Sequence, residues 1–437
     1  MTLNFTGVSL WGVLAIVAVV VAVIAIIVLV VFVVKKSRTP NPPSEQIAAA
    51  ARPDSGRVWV VVNPTKPEDY GAFRYRVDKI CNTMTGAPAE WIETTVEDPG
   101  TGQALYALTH DPLVVLAAGG DGTVRAVAAG MAHSGCPMGL LPIGTGNLVA
   151  RNLEMPLDLV SALEVAISGV NKIIDLAWLR VENAVEESLM PAEGALVRQA
   201  QERLGLQPEP DDVQPDDTEY AYLVIAGIGF DGETMANTSP QLKKRVGWSA
   251  YVLTALKSLN IERMKATLTL PPSNVVARAH RWQKAVPTSV RERITASQTI
   301  GSSKRHRIGI PDGEGLQMSA FRARTVLFAN CGVLPFAVLA PEAKIDDGAL
   351  DIIAIDTQAG LIGWVNLAAK VYGQSLGLPA FNTRHDLGQI SFQQVPFARL
   401  DTNRAYPVQV DGDPIGTART VFARNDPHAL IIRVQGK

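Results

Sequence analysis

Residues 113–118 are six consecutive apolar residues that run directly into Gly119-Gly120-Asp121-Gly122-Thr123, after which residues 124–131 follow a helical pattern. A short apolar run ended by glycines predicts a strand buried on both faces, and the return to helical period predicts a β-loop-α unit. The glycines remove Cβ atoms, so backbone N–H groups can come close to phosphate oxygens, and the helix adds its positive end. A carboxylate between those glycines repels a phosphate. It suits a general base on an acceptor hydroxyl or a group acting through a metal ion. A tight strand-to-helix turn would account for the glycines alone.

The same arrangement recurs. Residues 58–62 are apolar and end at Asn63-Pro64-Thr65, and residues 138–141 are apolar and lead into Pro142-Ile143-Gly144-Thr145-Gly146-Asn147. A helix is expected over 70–85, a strand near 90–94, and a helix over 157–168 with Asp158 and Ser161 at its start and Gly169 as its stop. Strands alternating with helices predict a parallel sheet, and three polar loops at strand ends would then share one carboxyl edge, where ligands bind in open α/β sheets. The loops lack the Gly-Lys-Ser/Thr of a P-loop and do not fit the protein-kinase set.

Beyond residue 175 the pattern turns β-like, with strands expected over 175–181, 219–226, 266–270, 320–329, 349–355 and 408–411. The expected fold class is an α/β nucleotide-binding domain over 57–175 followed by an all-β, antiparallel, sandwich-like domain over 176–437. The C-terminal strands could return to the first domain. Two charged stretches interrupt the second part. Residues 182–219 are acidic (Glu209, Asp211, Asp212, Asp216, Asp217), and residues 272–315 are basic (Arg278, Arg281, Lys284, Arg291, Arg293, Lys304, Arg305, Arg307). Both read as solvated or disordered insertions. The basic one could also meet anionic lipid headgroups, at roughly 1 kcal/mol per cation near the surface.

Ahead of all this, residues 8–34 carry no charge, which exceeds the about 20 residues that span a bilayer as a helix. Lys35-Lys36-Ser37-Arg38 closes the run, and the positive-inside rule puts that end in the cytoplasm. A cleaved signal would need a basic start and a shorter apolar core. The expectation is a single-pass cell-membrane anchor, a linker over 39–56, and a cytoplasmic catalytic part. A net charge of −2 over 437 residues gives no global field for nucleic acid. Cys81, Cys136 and Cys331 lack disulfide or metal spacing and read as buried apolar residues. His110, His133 and His385 are isolated and read as structural.

The ordered set Asn63-Pro64-Thr65, Gly119–Thr123 and Pro142–Asn147 resembles the catalytic domain of diacylglycerol and sphingosine kinases. Further matches are Gly227-Ile228-Gly229-Phe230-Asp231, then Lys243-Lys244-Arg245 and Gly247-Trp248-Ser249-Ala250-Tyr251. Residues 343–351 resemble the family's Asp-Asp-Gly segment, and Val410-Asp411-Gly412-Asp413-Pro414 its Asp-Gly-Glu segment. The resemblance runs from about Arg57 to the C-terminal strands and excludes both charged stretches.

It implies ATP held by Asn63, Pro64, Thr65, Thr95, Gly119, Gly120, Asp121, Gly122, Thr123, Gly144 and Thr145. It implies a structural Mg²⁺ on Asp347 with the main-chain carbonyls of Lys344 and Ala349, a hard-oxygen set suited to that ion. The family's proton acceptor is the glutamate of Asp-Gly-Glu. Here Asp413 is one methylene shorter, so the base stays open between Asp413 and Asp121. Asp411-Gly412 is also the commonest hairpin signal. Asp231 either faces the acceptor cleft or ends a strand. Lys66-Pro67 replaces the family's Ser-Gly. The expected activity is phosphorylation of a lipid hydroxyl in the membrane, with diacylglycerol as default acceptor. Other readings are a sphingoid-base or other lipid kinase, NAD kinase, which shares the glycine loop, and a catalytically weak membrane-bound sensor. A homodimer is compatible with the sequence.

Overall fold

A computed structural model describes residues 56–186, 190–207, 214–229, 263–271, 316–334, 337–338, 340, 343–357 and 388–436. The expected membrane anchor over 8–34, almost all of the linker, Asp231, the 243–251 segment, His385 and the basic stretch lie outside these residues. Among the described residues no helix is long and apolar enough to cross a membrane.

The chain begins as anticipated from its apolar runs. Strand β1 (Val58–Val62), β2 (Glu90–Glu93), β3 (Val114–Gly119) and β4 (Pro137–Pro142) are parallel, in the order β2-β1-β3-β4. Their residues alternate between two cores. Val58, Val60, Val62, Leu116 and Ala118 pack with Phe73 and Val77 of helix α1 (Tyr70–Thr85), whereas Trp59, Val61, Val115 and Ala117 pack on the opposite face. That second face is covered by α2 (Thr101–Leu108) and α3 (Asp121–Met131). Period-2 side chains between two helix layers explain why the runs are apolar throughout. Asp69 caps α1 by accepting from Ala72 N–H, and Gly86 ends it in the left-handed region at φ 79°. After the short α4 (Leu148–Asn152), Asp158 caps α5 (Leu159–Ser168), and Gly169 N–H closes its end on Val165 O.

Register fixes the functional edge. Val62 pairs with Ala118, and Ala118 with Leu141, so the loops after β1, β3 and β4 emerge side by side. Asn63 N–H donates to Ala118 O (2.9 Å) and Thr94 N–H to Val62 O (2.9 Å), which carries the pairing into the loops.

The remaining strands are β5 (Val170–Glu186), β6 (Glu219–Tyr222), β7 (Ile225–Gly229), β8 (Met264–Leu270), β9 (Gln317–Ala323), β10 (Thr325–Ala329), β11 (Val333–Leu334), β12 (Ala337–Val338), β13 (Leu350–Thr357), β14 (Gly388–Val395), β15 (Phe397–Val410) and β16 (Asp413–Val434). They are sheet-rich and antiparallel, with their own core (Tyr222, Phe328, Leu350, Leu400, Val408 and neighbours). Among the described residues fourteen strands form one continuous sheet. Ile431 and Ile432 of β16 pair in parallel with Pro137 and Met138, joining the antiparallel part to β4.

Three expectations change. The stretch 219–226 is two strands, because Leu223 and Val224 N–H groups turn to the carboxylate of Asp411. The stretch 320–329 is also two, broken where Arg324 N–H donates to Ile355 O (2.8 Å). Within the stretch 182–219, Glu209, Asp211 and Asp212 lie outside the described residues, but residues 193–204 are not a solvated loop: they form helix α6 (Glu193–Leu204), whose Leu196, Val197 and Ala200 are buried and which packs on α2 and α3. Cys81, Cys136 and Cys331 are buried, and among the described residues none of them forms a disulfide.

Candidate active site

The site forms where the three loops meet the N-terminus of α3. Gly119 is the last residue of β3 and Gly120 the N-cap of α3, and no side chain caps that helix. Its first-turn N–H groups and dipole therefore face a loop built of glycine. A Cβ on Gly144 would lie 2.6 Å from Gly120 Cα, so the two glycine loops are in backbone contact. The second loop is internally braced: Asn147, at φ 49°, accepts from Gly144 N–H (3.0 Å) and donates to Pro142 O and Gly144 O. Thr145 is exposed on it, and Thr123 is buried beneath the first loop.

On the other side, Asn63 Oδ1 accepts from the N–H (3.1 Å) and hydroxyl (2.7 Å) of Thr65, and its carbonyl from Lys66 N–H, a local turn that spans Pro64. Lys66 is exposed and extends over the first glycine loop, its Nζ 3.7 Å from where a Cβ of Gly120 would stand. Thr95, past the end of β2, braces its own turn by accepting from Asp98 N–H (3.1 Å).

The two candidate carboxylates meet at this helix end. Asp121 is the first residue of α3, and its Oδ1 accepts from Leu148 N–H at 2.6 Å, fastening the first loop to the second. A Cβ on Gly146 would collide with its other oxygen. Asp413 arrives from the far end of the sequence, as the first residue of β16. Its Oδ2 lies 2.9 Å from the position a Cβ of Gly122 would take, and 3.1 Å from Arg125 Nη1. The Asp411-Gly412 pair is indeed a two-residue hairpin turn, with φ of 46° and 89° and Val410 paired to Asp413. Hairpin and site are the same feature.

Asp411 itself is buried, accepting from Leu223, Val224 and Ile225 N–H at 2.8–3.0 Å. Burial pushes its carboxyl up to about 6, against the pull of Arg125 and those N–H groups. Arg125 is 1% exposed. Burial works against its charge, but Glu193, Asp413 and Asp411 outweigh that and hold the guanidinium above its ordinary value. Neither Arg125 nor Glu193 emerged from sequence reasoning. The one available signal was a lone arginine inside an otherwise apolar helical run.

Lys344, Asp347 and Ala349 lie in a turn seated on the start of β5. Asp175 accepts from Gly348 N–H (2.6 Å) and His428 N–H (2.8 Å), and Lys172 pairs with Asp346 at 2.6 Å. Asp347 accepts from Ala349 N–H (3.1 Å). Burial pushes both Asp175 and Asp347 up to about 7, with Asp346 adding to each. Among the described residues no three acidic, His or Cys side chains converge as a ligand set. A cation here would have to rest on Asp347 and main-chain carbonyls. Two features fit one: buried carboxylates crowd together, and Asn425, whose amide donates to Ala349 O (3.3 Å), has its Oδ1 buried without a partner. Residues 227–229 lie in strand β7, between β10 and β15 in the antiparallel part.

Residues 57–179 match the family model described as the diacylglycerol kinase catalytic domain. A Pseudomonas aeruginosa (strain UCBPP-PA14) protein described as "Probable lipid kinase YegS-like" is 24% identical over 331 residues, 75% of this chain and 78% of that protein. A protein of Staphylococcus saprophyticus described as a diacylglycerol kinase is 31% identical over 124 residues, 28% of this chain and 40% of that one. A solved structure from Bacillus anthracis str. Sterne, described as "a putative diacylglycerol kinase", superposes with TM-score 0.55 at 16% identity. It covers 88% of this chain and 97% of that one, and at this identity the likeness is one of fold.

Proposed function

Because the chain belongs to the diacylglycerol-kinase-like superfamily of lipid kinases, we propose that it transfers the terminal phosphoryl group of ATP to the hydroxyl of diacylglycerol, giving phosphatidic acid. The observation that carries this is the meeting of three strand-end loops at the uncapped N-terminus of α3, with Asp121 and Asp413 beside it. Backbone N–H groups of Gly119–Thr123 take the phosphate oxygens, and the loops of Asn63–Thr65, Thr95 and Gly144-Thr145 complete the nucleotide site. Positioning and charge neutralisation supply most of the rate in such transfers, and a weak base suffices because the transition state is loose.

Asp413 is the proton acceptor in this reading. Its side chain is 26% exposed, while Asp121 is fastened to Leu148 N–H and organises the two glycine loops. The acceptor oxygen bonds to the γ-phosphorus as the bond to the bridging oxygen breaks, ADP leaves, and the hydroxyl proton passes to the Asp413 carboxylate. Asp347, with the carbonyls of Lys344 and Ala349, would hold a Mg²⁺ that neutralises the buried acids and fixes the turn. The uncharged run over 8–34 would anchor the chain with its catalytic part on the cytoplasmic face, where ATP is and where a water-insoluble acceptor is presented. Purified full-length protein is incubated with labelled ATP, Mg²⁺ and either a total lipid extract or NAD. Label in phosphatidic acid is expected. Label in another lipid would replace diacylglycerol as acceptor, and label in NAD alone would sink the lipid reading.

A further inference from the structure

Arg125 and Glu193 form an ion pair that is 1% exposed on both sides, against one wall of the site. Arg125 Nε donates to Glu193 Oε1 (2.8 Å), and its Nη1 donates both to Val410 O (3.1 Å) and to Asp413 Oδ2 (3.1 Å). Glu193 uses its second oxygen to accept from Ala221 N–H (3.2 Å). One guanidinium therefore ties α3, α6 and the β15–β16 hairpin tip together. The tip is also held from the other side, by Asp411 on β7 and by Gln409 Oε1, which accepts from Gly412 N–H (2.7 Å).

Two facts separate this pair from an ordinary structural one. It ends on the partly exposed carboxylate of Asp413, whereas a second buried pair among the described residues, Arg424 with Glu219, is bidentate and continues to Asp426 (4.0 Å) and to Asp216 N–H (3.0 Å), not to Asp413. And Glu193 opens α6, inside the acidic stretch to which the family resemblance does not extend. Gly122 and Arg125 are three apart on α3 and so share a face. The glycine leaves room for Asp413, and the arginine one turn on holds it there. An aspartate is one methylene shorter than the family's glutamate, so its placement depends more on what the hairpin is bolted to.

We propose that Arg125, backed by Glu193 from the inserted helix α6, is a positioning residue that sets Asp413 for phosphoryl transfer. This rests on the kinase reading above. The insertion is then part of the catalytic apparatus.

Removing one partner alone would leave a buried charge uncompensated and threaten folding. The test therefore replaces pairs in the full-length protein: Arg125→Met with Glu193→Met, and, as the matched control, Arg424→Met with Glu219→Met. Lipid phosphorylation and urea unfolding are measured on each. The first pair should lower kcat by about 10- to 100-fold with KM for ATP within about twofold, as a misplaced catalytic group does. The control should keep kcat within about twofold at a similar change in stability. Arg125→Lys, which keeps charge but loses the fork, should recover only part of the rate. Adding the first pair to Asp413→Asn should cost no further kcat, because both act through one carboxylate. Retained kcat in the first pair, equal loss in both pairs, or full additivity with Asp413→Asn would each overturn the proposal. A first pair that does not fold while the control does makes the contact a matter of stability and overturns it too. Wild-type protein inert toward every lipid would instead remove the reading on which it rests.

Discussion

Gly122 lies in the first turn of α3, where helix propensity alone favours alanine by about 1 kcal/mol. A Cβ there would nevertheless stand 2.9 Å from Asp413 Oδ2, closer than real Cβ contacts come. The two effects act on different observables. Gly122→Ala should leave the free energy of urea unfolding within about 1 kcal/mol of wild type, on either side, yet lower kcat by about tenfold or more, because the carboxylate must move. A variant that keeps its kcat, or loses it only in step with stability, would show that Asp413 does not need this close seat. At this scale the sequence was informative where chemistry forces a residue type in a local pattern. Gly119 to Thr123, Asn63 and Gly144 stood out because polar and glycine loops recur at the ends of apolar strands, and the register brings those strand ends to one edge. Arg125 and Glu193 could not, since their meaning lies in a contact between residues 68 apart.

The turn carrying Asp347 is an element whose stability is tied to its ionisation. Asp175 and Asp347 both rise from 3.8 to about 7 in the folded chain, chiefly through burial. The folded state then binds more protons than the unfolded one between those values, so their contribution is complete below about pH 4 and is lost as pH rises through 7. In EDTA, the melting temperature should fall between pH 6 and pH 8. Mg²⁺ needs the deprotonated carboxylate, so it should raise the melting temperature more at pH 8 than at pH 6, and Asp347→Asn should remove that gain. An equal Mg²⁺ effect at both pH values, or one that survives the substitution, would exclude Asp347 as a ligand. Elements were readable where one period ran uninterrupted, as in α1 and β3. They were missed where tertiary partners override local cues. The break at Leu223-Val224 exists because a distant aspartate takes those N–H groups. Strand β16 contains Pro414, Gly416 and Pro427, each a signal against a strand; the first two fall at a register shift against β15 and the third at a register shift against β5.

Across the whole molecule, β16 is the connection between the two halves of the sheet. It leaves the active site at Asp413, runs antiparallel to β15 and then β5, and ends in parallel with β4. The boundary expected at residue 175 falls within β5, which pairs along nearly its whole length with this one strand. The core beneath α2 and α3 takes Leu430, Ile432 and Val434 from β16, although those residues are last in the chain. At about 1.5–3 kcal/mol for each buried apolar side chain, the three together are comparable with the whole net stability of a domain, about 5–15 kcal/mol. Ending the chain at Arg424 also strips β4 of its edge partner. We expect such a truncation to lose the cooperative unfolding of residues 57–175 as well as of the antiparallel part. In the intact chain, tryptophan fluorescence from Trp59 in β1 and Trp178 in β5 should change at the same urea concentration as the far-ultraviolet circular dichroism. Single-tryptophan variants retaining only Trp59 or only Trp178 separate the two signals. Transitions that part from one another, or a truncated chain whose Trp59 still reports a sharp transition at the wild-type midpoint, would mean that the α/β part stands without β16. Coincident transitions would mean that the nucleotide loops and the hairpin bearing Asp413 are formed in one folding event.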